Sequence, residues 1–197
     1  MERPAGKPSV HEGLAPAVDG VGPLLRRDYW ATIDRSRLGP PDIKALLAQR
    51  FASFAPKELV EFERRPLQLG VTIGVHIRAS GRSAVRVIHE DAQSLTLATL
   101  PGHPEAGRIT FGAYRNGQGN VIFHIRSHAR SGSRLMYMGY LSAGDPMQTN
   151  TWTDFVGSVA VTAGEGVLGE ITVKTTTIEE EPEDLMLHQP TYFAQGG

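Results

Sequence analysis

The feature that most constrains this chain is a change of period at residue 67. From there to residue 131 apolar residues recur at every second position, in short runs parted by turn formers. In LGVTIGVHIRAS, Val71, Ile73, Val75 and Ile77 share one face, while Thr72, His76 and Arg78 share the other. That is the two-residue repeat of a half-buried strand. Gly81 marks a turn, and SAVRVIHED and SLTLATL read as the next two strands. PGHPEAG is dense in turn residues, RITFGAYR is a fourth strand, and NGQGN carries the Asn-Gly hairpin signal. VIFHIRSHARS is a fifth strand. Connections this short rule out parallel crossovers, so the run is an antiparallel meander. Its apolar face must be covered by another layer.

The flanks supply that layer. In LLRRDYWATIDRS, Tyr29, Ala31 and Ile33 alternate with Asp28, Trp30, Thr32 and Asp34, which predicts a first strand rich in aromatic and β-branched residues. LGPPDIKALLAQRFASF predicts a helix. Pro40 and Pro41 suit its first turn, Asp42 its positive end, and Ile43, Leu46, Leu47, Phe51 and Phe54 its apolar stripe. KELVEFERR reads as a short second helix, with Leu59, Val60 and Phe62 inward and Pro66 as its stop. SRLMYMGYLSAG is a short helical or irregular lead-in. DPMQTNTWTDFVGSVAVTAG then predicts a long closing helix. Asp145 is its N-cap, Pro146 its first residue and Gln148 the capping-box partner. Trp152, Phe155, Val156, Val159 and Ala163 form its stripe, and Gly164 and Gly166 end it. The expected fold class is α+β, in the order β-α-α-β-β-β-β-β-α, with a curved antiparallel sheet around the last helix. Residues 24–166 form one domain on this reading. Residues 1–23 are a flexible lead-in, and 167–197 are an added strand or an acidic, partly disordered tail containing EEEPED.

Composition removes several functions. The chain has no cysteine, which excludes disulfides, thiolate metal sites and cysteine nucleophiles. It fits a reducing, cytoplasmic setting, as does a start without an apolar signal segment. A net charge of -1 argues against a dedicated nucleic-acid binder. No run approaches the ~18 apolar residues of a membrane span, so no integral membrane segment is expected. No dinucleotide fingerprint or phosphate loop occurs, and no cofactor is expected. Ser127, Ser131 and Ser133 lack the G-x-S-x-G context of a hydrolase elbow.

TLPGHPEAGRITF, followed by VIFHIRSHARSGSRLMYMGYL, resembles a domain-of-unknown-function family of bacteria and plants that carries a TLPGHPExGE-type segment. The resemblance is tightest over 95–131 and extends loosely over 24–164. This chain has Arg108 where the family has an acidic residue. It has His128, Ala129 and Arg130 where the family has an aromatic followed by Ser-Arg. The family looks like part of the helix-grip superfamily, with Bet v 1 and START domains. The resemblance implies a cavity fold and no particular reaction.

Candidate chemistry sits in a few places. His103 and Glu105 are candidates for a proton-transfer pair, or His103 simply bonds the backbone of a rigid turn in which Gly102 takes positive φ. Glu105 alternatively pairs with an arginine on a neighbouring strand and pins the loop over the cavity mouth. His124, Arg126 and His128 share one strand face and suit an anionic group, or form a solvated outer face. They do not suit a metal, because His124 and His128 would stand ~13 Å apart on an extended chain. Tyr114, Tyr137, Tyr140 and Trp152 suit the lining of a ligand cavity or an ordinary core. Asn150 and Asp154 face either the interior or solvent. The reading is a protein that holds a small apolar or amphipathic ligand between sheet and helix. The alternatives are a cyclase-, dehydratase- or hydrolase-type enzyme with a His/carboxylate pair in that cavity, and an interaction module with a filled core.

Overall fold

The computed structural model describes residues 9–183, except for the side chains of 135–148 within the last helix. After a 3-10 turn at Ala17–Asp19, the order is β1 (Val21–Ile33), α1 (Pro40–Arg50), a 3-10 turn (Phe51–Ser53) and β2 (Val60–Phe62). Then follow β3 (Thr72–Ile77), β4 (Gly81–Glu90), β5 (Ser94–Thr99), β6 (Glu105–Arg115), β7 (Val121–Ser131), α2 (Arg134–Ala163) and β8 (Val167–Ile178). The eight strands form one antiparallel sheet in the order β2-β3-β4-β5-β6-β7-β1-β8. The curved sheet with a C-terminal helix on one face is helix-grip-like.

The antiparallel meander is present, but β6 begins at Glu105, inside the segment read as a turn. Ile73 and Val75 are buried and His76 is exposed, as the alternation requires. The Asn116 side chain closes the β6–β7 hairpin by accepting from the backbone N–H groups of Gln118 and Asn120 at 3.0 and 2.9 Å. At the start of α1 the Asp42 carboxylate accepts the Gly39 N–H at 3.1 Å, so its place at the positive end of the helix is also a cap.

Three elements differ from the sequence reading. First, KELVEFERR contains a strand and not a second helix. Val60 and Phe62 are buried either side of exposed Glu61, and the segment pairs with β3 at the sheet edge. Between Pro56 and Pro66 there is too little chain for a stable helix, and pairing with β3 satisfies the backbone instead. Second, α2 starts at Arg134, so Asp145 and Pro146 lie inside it and do not begin it. The segment RLMYMGYLSAG belongs to this helix. The side chains of Asp145, Pro146 and Gln148 lie outside the described residues. Third, order begins before residue 24. The Ala15 N–H donates to Thr99 O at 2.8 Å, and Arg86 donates to Glu12 O at 2.6 Å, which ties 9–20 to the sheet. At the other end, residues 167–178 form the edge strand β8 against β1.

The core lies on the concave face, under α1 and the C-terminal half of α2. Phe155 is its centre. Its ring packs against Phe51, Phe54, Phe111, Phe123 and Trp152, with centroids 5.1–6.3 Å apart. Val156, Val159, Ala160 and Ala163 continue the buried stripe of α2.

Candidate functional site

Strand parity decides which residues meet. On β1, Arg27 shares the concave side with Tyr29, Ala31 and Ile33, whereas Arg26, Asp28 and Trp30 point the other way. On β6, Glu105, Gly107, Ile109 and Phe111 are concave, and Arg108, Thr110 and Tyr114 are convex. On β7, Phe123, Ile125, Ser127 and Ala129 are concave, and His124, Arg126, His128 and Arg130 are convex.

At the β1–β7–β6 end, the concave side holds an ion pair. Arg27 Nη1 lies 3.3 Å from Glu105 Oε1, and the arginine side chain is 3% exposed. The two strands are not neighbours, since β7 runs between them. The pair therefore reaches across Ala129, whose small side chain leaves room. Beside it is a cavity of about 20 Å³, room for about one water, lined by Val21, Pro23, Leu25, Arg27, Glu105 and Ala129. Glu105 arrives here because the LPGHPE turn is held from two sides. The Glu105 N–H donates to His103 Nδ1 at 3.0 Å, and the Gly132 N–H donates to Pro104 O at 2.7 Å. Gly102 has φ of 92°. Gly107 has φ of 150°, and a Cβ there would overlap the His128 carbonyl oxygen and lie 2.8 Å from Ala129 Cα.

His103 and Glu105 are thus adjacent, but their side chains do not form a proton-transfer pair. The imidazole Nδ1 is used by the Glu105 backbone, and the carboxylate turns to Arg27. Burial pushes the His103 ring below its ordinary pKa, and the nearby Glu105 charge opposes that shift.

The convex side carries a polar network centred on Asp28, which is 3% exposed. Asp28 Oδ1 accepts from His124 Nε2 at 2.7 Å and from Arg126 Nε at 2.6 Å, and Oδ2 accepts from Arg26 Nε at 3.0 Å. Burial would raise the Asp28 carboxyl, but the His124 hydrogen bond and the Arg126 charge outweigh it and bring it down to about 2. Asp28 is therefore a carboxylate, and His124 must carry its proton on Nε2. His124 Nδ1 is then the acceptor for the Tyr114 hydroxyl at 3.3 Å. Burial pushes the Tyr114 phenol up and the His124 imidazole down. His128 is lowered to about 4 by burial and by the charges of Arg108 and Arg126. The face holding His124, Arg126 and His128 is not a solvated one, because both histidines are buried.

The aromatic candidates separate. Tyr114 faces away from α2, in the Asp28 network. Trp152 is on α2 and packs 5.4 Å from Phe111 in the core. The side chains of Tyr137 and Tyr140 lie outside the described residues. Asn150 and Asp154 are exposed, Ser127 is buried on the concave side, and Ser133 is exposed. Among the described residues no group of three His, Asp or Glu side chains could hold a metal ion, and no helix is long and apolar enough to cross a membrane. Arg26, Arg27 and Asp28 escaped the sequence reading. The signal was present: Arg27 falls on the apolar parity of its strand.

Residues 46–154 match the family model described as Domain of unknown function (DUF1990). The chain belongs to the DUF1990 family. Among solved structures, a conserved protein from Geobacillus kaustophilus is similar at 9% identity, over 70% of this chain and 94% of that one, with a TM-score of 0.50. That likeness is one of fold. The ginseng major latex-like protein 151 from Panax ginseng aligns at 10% identity, over 72% and 99% of the two chains, with a TM-score of 0.45. The di-domain ARO/CYC StfQ from the steffimycin biosynthetic pathway aligns at 10% identity, over 75% and 52%, with a TM-score of 0.48. No curated protein sequence matches this DUF1990 chain.

Proposed function

We propose that this DUF1990 protein binds a small amphipathic molecule between the concave face of the sheet and α2, with its polar end at Arg27 and Glu105. The observation that supports this reading is the Arg27–Glu105 pair, with Arg27 buried and Glu105 half-buried, at the end of the apolar core beside a water-sized cavity. Such a pair is a poor device for stability. Replacing buried ion pairs by apolar side chains is often neutral, or stabilising by roughly 1–4 kcal/mol. A core built only for packing would hold aliphatic residues there. A guanidinium at the end of an apolar wall suits a ligand with a carboxylate or similar oxyanion, which bonds the planar fork while its hydrocarbon part lies against Tyr29 and Ile109. Phe111 and Phe123 lie further along β6 and β7, away from Glu105 and Ala129, so the ligand belongs at the Arg27–Glu105 end of these strands.

A titration with dodecanoate, below the concentration at which it forms micelles, tests the reading through the Arg27 Nε–H resonance. The resonance is expected to move saturably, and Arg27→Met/Glu105→Gln is expected to abolish binding with the fold intact. An unmoved Arg27 resonance, or equal binding by the double variant, sinks the assignment.

A further inference from the structure

We propose that the convex face of the sheet holds an oxyanion-binding site formed by Arg108, His128 and Arg130, and that the Glu181 carboxylate occupies it as an internal surrogate. The site lies on the opposite side of the sheet from the interior pair and does not depend on it. Its residues are cross-strand neighbours. Arg108 on β6 stands directly opposite His128 on β7, Arg26 on β1 stands opposite His128 from the other side, and Arg130 is one convex position further along β7.

Two observations point to a ligand. His128 is 6% exposed, yet its buried Nε2 has no hydrogen-bond partner among the described residues, and the buried Arg130 Nε is also without one. Buried polar atoms in native proteins are nearly always satisfied, so an orphaned ring nitrogen among guanidiniums marks a place where an oxygen belongs. Second, the chain itself supplies an oxyanion there. Beyond β8 the backbone turns back over the convex face, where Arg108 Nε lies 3.3 Å from Glu181 Oε1 and Arg108 also donates to the Pro182 carbonyl. Burial pushes the Glu181 carboxyl above its ordinary pKa, and the charges of Arg108 and Arg130 oppose that shift.

Charge favours a phosphate over a carboxylate. Asp28 already serves Arg26 and Arg126. Glu181, which pairs with Arg108, brings a single charge and two acceptor oxygens. A phosphate monoester brings up to two charges and three acceptor oxygens, enough to bond both guanidiniums and the His128 nitrogen together. Glu181 competes as a tethered ligand, whose effective concentration is in the millimolar range for a short link.

The test is calorimetric titration of the full chain with inorganic phosphate, comparing wild type with Glu181→Ala. The variant is expected to bind about tenfold tighter or better, since the tethered competitor is gone. Phosphate is expected to shift the His128 Nε2 resonance, and adding Arg108→Gln to the variant should remove binding. Should Arg108→Gln fail to fold, Arg130→Gln serves the same purpose. A second arm uses phosphatidylcholine vesicles with and without phosphatidic acid. Sedimentation of Glu181→Ala with the phosphatidic acid vesicles alone assigns the phosphate to a lipid head group. Phosphate binding without sedimentation assigns it to a soluble phosphomonoester. Equal affinity in wild type and variant, an unmoved His128 resonance, or no binding in either arm overturns the proposal.

Discussion

Strand β1 turns Arg27 toward α2 and Asp28 away from it, so two consecutive charged residues serve opposite faces of one sheet. The alternation was legible, because Arg27 shares the parity of Tyr29, Ala31 and Ile33. The partners were not. His124 lies on β7, which becomes a neighbour of β1 only after the chain has crossed the whole sheet, and Glu105 lies one strand further away, on β6. The buried groups make stability depend on pH in a definite direction. His128 and Asp28 both have folded pKa values below their ordinary ones, so each binds fewer protons folded than unfolded. Their stability is present above the unfolded pKa and is lost as pH falls through the folded one. His128 acts from 6.5 down to about 4, and Asp28 from 3.8 down to about 2. At ~1.4 kcal/mol per pKa unit, the losses are at most about 3.5 and about 2.5 kcal/mol. Burial of His103 and His124 adds to the upper limb with the same sign. Urea midpoints measured against pH are expected to fall in both windows, and His128→Phe to flatten only the upper one. An unchanged upper slope in that variant would contradict the account. A second residue-scale test separates the two special glycines of the LPGHPE turn. Gly102→Val strains a positive φ in open space and should cost about 1–2 kcal/mol. Gly107→Ala adds a clash with β7 and should cost more, about 3 kcal/mol. Denaturant unfolding that ranks them in the reverse order would show that the close approach of β6 and β7 is not what fixes Gly107.

At the scale of elements, regular periodicity was read well and short segments were read poorly. The meander has long alternating runs and short turns, and β6 reaches beyond its reading, into the turn at Glu105. The segment between Pro56 and Pro66 offered Leu59, Val60 and Phe62, which suit a helical turn or a strand equally. Only the free edge of β3 decides between them, and that edge is a tertiary fact. The start of α2 failed for a related reason. Asp145 and Pro146 are a good local start signal, but the helix continues through them, and tertiary packing overrides a local preference. The stripe from Trp152 to Ala163 was read correctly because packing and period agree there. Phe155 joins α2 to the sheet and to the α1 corner through five aromatic neighbours. Phe155→Ala is expected to cost about 3–5 kcal/mol in thermal or denaturant unfolding. A cost below about 1 kcal/mol would mean that α2 is not anchored at this point.

Across the whole molecule, the curved sheet separates two chemistries. Its concave side is an aromatic core at one end and a buried arginine–glutamate pair at the other. Its convex side is a grid of arginines and histidines partly covered by the segments before β1 and after β8. The sequence made the layered architecture readable and left the position of an interior site open, because residues 27 and 105 meet only across an intervening strand. The central claim is that the half of the interior next to Arg27 and Glu105 holds a small molecule. Native mass spectrometry of the freshly purified chain, with nothing added, tests it most directly. A small-molecule adduct is expected on the wild type and absent from Arg27→Met/Glu105→Gln. A wild type that flies only at its bare mass, or an adduct that persists in the double variant, would contradict the claim.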